Sequence, residues 1–286
     1  MKTSHIFGIA VISLITALTV NYFFNNGSTT AASQTVYDRV TTSGVMRCGY
    51  FEEAPYVIVD PNTGAKSGIA VELAEKIASE LELKVEWVST NFTTLTADLE
   101  TGRIDAVCSS IFSLPRAGRL DYTVPYSYVP FYAFTQSGRT EFDGKLGSLD
   151  WSKLQIAGLD GEGATVVARK KLPHANFVIL PQSSQIAELL VNVADKKADI
   201  AFVMPSVFRN FEAENPGRIQ MIKSDKPFHV FNVVFGMKAN EPAFKDMLDF
   251  MMRNLASSGY LQDLYSKYDP DGLLFRPAAA YSSAGK

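Results

Sequence analysis

The stretch "LETGRIDAVCSSIF" (99–112) and its counterpart "NVADKKADIAFVMP" (192–205) decide the fold. Each reads as the end of an amphipathic helix, a basic turn, an aspartate (Asp105 or Asp199) and a short, continuously apolar strand. A strand apolar on both faces belongs to a parallel sheet, and a helix feeding it makes an α/β crossover. The chain therefore carries two similar α/β lobes, and a cleft between lobes is where small ligands bind.

Working outward, "VYDRVTTS" (36–43) predicts a short helix stopped by Gly44, and "VMRCGYF" (45–51) a strand. "PNTG" (61–64) is a turn, and "GIAVELAEKIASELEL" (68–83) a helix with Leu73, Ile77 and Leu81 one turn apart. Glu72 and Lys76 on its other face have ion-pair spacing. "KVEWVS" (84–89) is a strand, "FTTLTADLETG" (92–102) a helix, and "IDAVCSS" (104–110) the next strand. Such repeated units with short connections define a doubly wound, mostly parallel sheet. "DYTVPYSYVPFYAFTQSG" (121–138) has Pro125 and Pro130 among aromatics and is an extended passage out of the first lobe. The second lobe contributes strands at 154–159, 176–180 and 199–204, with the glycine-bearing turn "DGEGA" (160–164) after the first. "DKPFHVFNVVFGMK" (225–238) crosses back, so two passages make a hinge. A final helix is expected from an Asn240 N-cap, with Pro242 in its first turn and Phe244, Leu248, Met251 and Leu255 as its apolar stripe. The expected division is 1–32 as a leader, 36–128 with 229–286 as the first lobe, and 129–228 as the second.

The 286 residues are 47% hydrophobic, ample for such a core, and the formal charge of -3 with scattered Lys and Arg excludes a nucleic-acid footprint. Residues 6–24 form an apolar run after Lys2 and His5, with no charge until Asp38 and small residues at 30–32. That is the pattern of an export signal cleaved near Ala32; an uncleaved anchor over 6–24 is the open alternative. Cys48 and Cys108 each fall in a predicted buried strand, and the sequence leaves their pairing open. Neither they nor the scattered His5, His174 and His229 make a metal set, so no metal or other cofactor is expected.

The order "GVMRCGYF…APY…GIAVELAEKIASEL…FTTLTADLETGRIDAV…SSIFSLPRAGRLDYTVPY", closing on "ASSGYLQDLYSKYDP", resembles the extracellular solute-binding proteins of family 3 across about residues 36–270. The resemblance implies the two-lobed periplasmic-binding-protein fold (type II), α/β in class, each lobe a doubly wound mostly parallel sheet, with two hinge crossovers. It also implies a monomeric, non-enzymatic receptor at the periplasmic or extracytoplasmic face. Such a receptor clamps a small polar solute, an amino acid or related carboxylated amine, for the membrane permease of an ABC importer. Carried over by position, Phe92 stacks on the ligand, Ser109 and Ser110 hold its polar head, and Arg116 takes its carboxylate in a two-pronged contact.

Three positions depart from the family pattern. "SSIFSLPR" brings Arg116 one residue early, Gly161 is followed by Glu162 where relatives place Thr, and Met204 stands where relatives place the Asp that pairs with the ligand's ammonium. A buried ammonium without an anion is costly. Glu53, just before "APY", and Glu162 are the acids able to replace it. They are equally readable as solvated acids, with Glu162 as a helix N-terminal charge or as an internal partner for Arg116. These departures also admit a tethered sensory binding protein, or a dehydratase-like enzyme resembling the cyclohexadienyl dehydratases, with Glu53 or Glu162 as acid.

Overall fold

A computed structural model describes residues 34–112 and 118–275. The expected leader over 1–32, the candidate anchor over 6–24, Arg116 and the last residues lie outside the described residues. Helix α1 (Val36–Ser43) leads into strand β1 (Val45–Tyr50), the small hairpin β2 (Ile58–Val59) and β3 (Lys66–Ser67), and helix α2 (Ile69–Glu80). Strand β4 (Lys84–Ser89), helix α3 (Leu95–Glu100) and strand β5 (Ala106–Phe112) complete a parallel unit ordered β4-β1-β5. Strand β6 (Leu120–Tyr122) and the long β7 (Ser127–Gln136) lead away from it.

The second unit repeats the first. Strand β8 (Gln155–Leu159), helix α4 (Gly163–Lys171), strand β9 (Asn176–Leu180), helix α5 (Ala187–Ala194) and strand β10 (Ile200–Val203) give a parallel order β10-β8-β9. Helix α6 (Pro205–Glu214) and strand β11 (Ile219–Met221) follow, then the long β12 (His229–Lys238) and helices α7 (Pro242–Ser257) and α8 (Tyr260–Tyr268). The two units meet where Ser127–Phe131 of β7 pairs antiparallel with His229–Val233 of β12. Beyond that stretch β7 continues against β10 and β11, while β12 continues against β5 and β6. The result is a two-lobed α/β molecule whose hinge passages share backbone hydrogen bonds.

The repeated aspartates do the same work in both lobes. Asp105 accepts the Arg47 backbone N–H at 2.7 Å and returns its own N–H to the Arg47 carbonyl at 2.8 Å, stapling β5 to β1. Asp199 does this with Gln155, at 2.8 Å in both directions, stapling β10 to β8. Before each aspartate the chain turns through a left-handed residue, Gly102 at φ 70 and Lys196 at φ 62. Glycine takes that conformation without steric penalty; Lys196 takes it at a cost, held by its N–H on the Val193 carbonyl. Asp105 also pairs with Arg39 and Arg47 and is 1% exposed.

Several details differ from the sequence expectation. Cys48 and Cys108, both buried, are joined as a disulfide with Cα atoms 5.3 Å apart, a pairing that requires the β1-β5 register. The N-cap of α7 is Glu241 rather than Asn240, whose left-handed backbone (φ 65) sends its N–H to Asp121 at 2.9 Å. Phe244, Leu248, Met251 and Leu255 are nevertheless all buried. Lys76 pairs with Glu80 at 2.6 Å instead of with Glu72, which is taken by Lys267 and Tyr268 from α8. At the β12 bulge between Val234 and Gly236 a side chain at 236 would collide with Ile111.

Replacing Asp105 by Ala leaves two half-buried guanidinium groups without their anion and should cost roughly 3–5 kcal/mol. Asp199→Ala, at a more exposed staple, should cost about 1–3 kcal/mol. Urea titration of both variants checks this; equal losses would contradict the asymmetry.

Candidate functional site

A cavity of about 480 Å³ opens between the lobes. Its floor is Phe131, buried in the shared stretch of β7. Lobe one supplies Glu52, Glu53 and Ala54 from the loop after β1, and Phe92 from the turn before α3. Lobe two supplies three segments, each following a parallel strand and opening a helix: Leu159–Gly163 into α4, Gln182–Ala187 into α5, and Met204–Val207 into α6. Helix N-termini carry partial positive charge and unsatisfied N–H groups, and in open α/β sheets ligands bind beyond the carboxyl ends of the strands. Ile186 and Met204, at the N-caps of α5 and α6, give their helices no side-chain cap. At the α5 start the Gln185 N–H donates to the Glu188 carboxylate at 3.0 Å, and at the α6 start Pro205 carries no N–H and Val207 donates to the Met204 carbonyl at 3.1 Å.

Phe92 is held out from the core by Asn91, whose side chain accepts the N–H groups of Thr93 and Thr94 at 2.9 and 3.0 Å. This delays α3 to Leu95, later than the expected start at 92, and leaves Phe92 44% exposed, its ring 4.5 Å from that of Phe51. An exposed ring braced by a second ring is suited to covering an apolar ligand face.

Glu162 is the N-cap of α4. Its two carboxylate oxygens accept the N–H groups of Ala164 and Thr165, each at 2.8 Å, and the Thr165 hydroxyl at 3.1 Å. It also lines the cavity. Burial raises its pKa above the ordinary value, and the hydrogen bonds from Ala164 and Thr165 oppose that rise without cancelling it. The chain fills the start of α4 with its own carboxylate.

The structure brings Phe92, Glu53, Glu162 and Met204 to one cavity. Met204 is buried and presents no charge. Ser109 is placed elsewhere: its buried hydroxyl donates to the Phe51 carbonyl at 3.1 Å, so it ties β5 to the chain leaving β1 instead of lining the cavity. Ser110 is the next residue of β5. The lining residues Gln182, Ser184, Gln185, Ser206 and Asn210 escaped the sequence reading. Their signal was positional, since most of them follow the carboxyl ends of the strands "NFVIL" and "DIAFVM".

The chain belongs to the bacterial extracellular solute-binding proteins, family 3, whose profile matches residues 46–270. It is similar to the cyclohexadienyl dehydratase of Pseudomonas aeruginosa, at 22% identity over 235 residues, 81% of this chain and 85% of the relative. It is also similar to the amino-acid-binding protein AabA of Dichelobacter nodosus, at 24% identity, covering 78% of this chain and 86% of the relative. Among solved structures, an ABC-transporter binding component from Wolinella succinogenes complexed with lysine superposes with a TM-score of 0.67 at 22% identity, covering 79% of this chain and 95% of that one.

A carboxyl whose folded pKa is raised contributes stability that is fully present below its ordinary pKa and is lost as pH rises through the raised value. Denaturation at stepped pH from about 4 to 8 should show the wild type losing stability relative to Glu162→Gln as pH rises. A difference that grows in the wild type's favour would contradict the burial-dominated account.

Proposed function

We propose that the protein is an exported receptor that captures an amino acid or related carboxylated amine in the interlobe cavity and delivers it to the permease of an ABC importer. The observation that carries this reading is the cavity itself. An exposed aromatic from one lobe and three helix starts from the other line it, in a chain of family 3. The Dichelobacter relative is an amino-acid-binding protein and the Wolinella structure holds lysine, so an amino acid is the first class to test. In this reading Phe92 covers the ligand's apolar face, and Glu53 and Glu162 stand in for the acid missing at Met204. A solute touching both lobes stabilises their approach only through its greater affinity for that state. No bond is made or broken.

A second reading, a dehydratase on the same scaffold, draws on the Pseudomonas relative and on the raised Glu162 carboxyl. Against it, both Glu162 oxygens already accept backbone N–H groups, and no histidine lines the cavity among the described residues. Dehydration of a cyclohexadienol leaves an aromatic ring, so turnover would be seen as rising ultraviolet absorbance. Turnover abolished by Glu162→Gln would establish the enzyme.

In a thermal-shift screen of the full-length chain against the amino acids, a ligand at about 100 times its Kd contributes about 2.7 kcal/mol and should raise Tm by several degrees. Phe92→Ala should weaken the hit about tenfold. Silence from every amino acid would overturn the receptor reading, and unchanged affinity in Phe92→Ala would remove that residue from the site.

A further inference from the structure

Beyond α8 the chain turns back onto the hinge. Asp269, the C-cap of α8, gives its N–H to the Tyr265 carbonyl at 2.8 Å, and its carboxylate accepts the N–H groups of Leu273 and Leu274 at 2.9 and 3.0 Å. Between them the chain reverses at Gly272, in the left-handed conformation (φ 66) that glycine takes without steric penalty. Leu274 is buried in the same core as Tyr126 and Tyr265, whose hydroxyl donates to the Tyr126 carbonyl. The reversal sets Phe275 against β7, where Tyr128 and Phe275 exchange backbone hydrogen bonds of 2.9 and 2.8 Å. The same Tyr128 is the register partner of Asn232 in β12. The hinge pairing therefore carries a third stretch of chain at this position, anchored in lobe one.

That stretch also reaches lobe two. Asp271, between the end of α8 and the bridge to β7, forms an ion pair with Arg209 of α6. The other ion pairs among the described residues each join side chains within a single lobe. Helix α6 is a wall of the cavity, which Met204, Ser206, Val207 and Asn210 line and Arg209 and Asp271 do not. The pair thus ties that wall to lobe one from outside the cavity.

The side chains of Arg209 and Asp271 are 53% and 59% exposed. An exposed ion pair shifts an equilibrium by about two- to fivefold and weakens with salt. That is too little to hold a fold together, and enough to bias two arrangements of the lobes that lie close in free energy. Rotation of lobe two about the hinge carries α6 past the anchored segment, so the pair survives over one range of interlobe angles and is lost outside it. We propose that Asp269–Phe275 is a strap across the hinge and that the Arg209–Asp271 pair is its releasable latch, favouring the interlobe arrangement described here. A solute that prefers this arrangement gains the latch's bias in its apparent affinity, and one that prefers another loses by it.

The test needs no ligand, so its failure leaves the receptor reading standing. Nitroxide labels on Asn62→Cys in lobe one and Lys170→Cys in lobe two, both exposed positions, report the interlobe distance of the full-length chain by double electron–electron resonance. Both native cysteines are held in the disulfide, so only the introduced thiols take label. Arg209→Gln and Asp271→Asn should each lower the population at the spacing seen here, relative to the rest, by about two- to fivefold. Phe275→Pro, which removes the N–H that Tyr128 accepts, should do the same by freeing the strap. The exchanged pair, Arg209→Asp with Asp271→Arg, should restore the wild-type distribution. Distributions that superpose for the wild type and both neutral variants would overturn the latch. A shift that the exchanged pair fails to restore would overturn the ion pair as its cause, and an unchanged distribution in Phe275→Pro would overturn the strap.

Discussion

The antiparallel pairing of Ser127–Phe131 with His229–Val233 is the constraint on which the rest depends. Each lobe contains a parallel unit held by its own aspartate staple. What makes one binding site of them is that β7 leaves lobe one as β12 returns to it, with the two strands hydrogen-bonded as they pass. Phe131 sits in this stretch, its ring 5.0 Å from Phe231, and forms the cavity floor. Strands pairing at such a crossover are the place where a hinge between lobes is expected.

Charge then decides what the walls can hold. Helix dipoles of lobe two favour an anion, yet this chain has placed one of its own anions, Glu162, on one of the helix starts. Glu162 makes that helix start acidic. Met204 carries no charge, and the acids Glu52, Glu53, Asp160 and Glu162 stand on neighbouring segments of the lining.

Much of the fold was legible because the governing signals are local. The repeated helix, turn, aspartate and strand pattern located both parallel units, and Pro and Tyr between them marked an extended passage that became β7. The α7 stripe was readable, but its first residue was not: Asn has high N-cap preference, and a tertiary bond to Asp121 set its backbone otherwise. Helix α6 was hidden because an apolar strand runs into Met204 and Pro205 without a polar break. Of the site, Phe92, Glu53, Glu162 and Met204 were reached through the family pattern, and the cavity brings them together. Ser109 was read as a ligand contact, and its hydroxyl donates to the Phe51 carbonyl; a hydroxyl at a strand end reads alike in either role. The disulfide and the remaining polar lining depend on strand register and lobe orientation, which no local pattern encodes.

The central claim is that a solute held between the two walls draws them together about the β7-β12 pairing. Small-angle X-ray scattering of the full-length chain, with and without saturating L-arginine, measures this most directly. A smaller radius of gyration with arginine, reversed on its removal, is the expected result. A saturating ligand that leaves the scattering profile unchanged would contradict it.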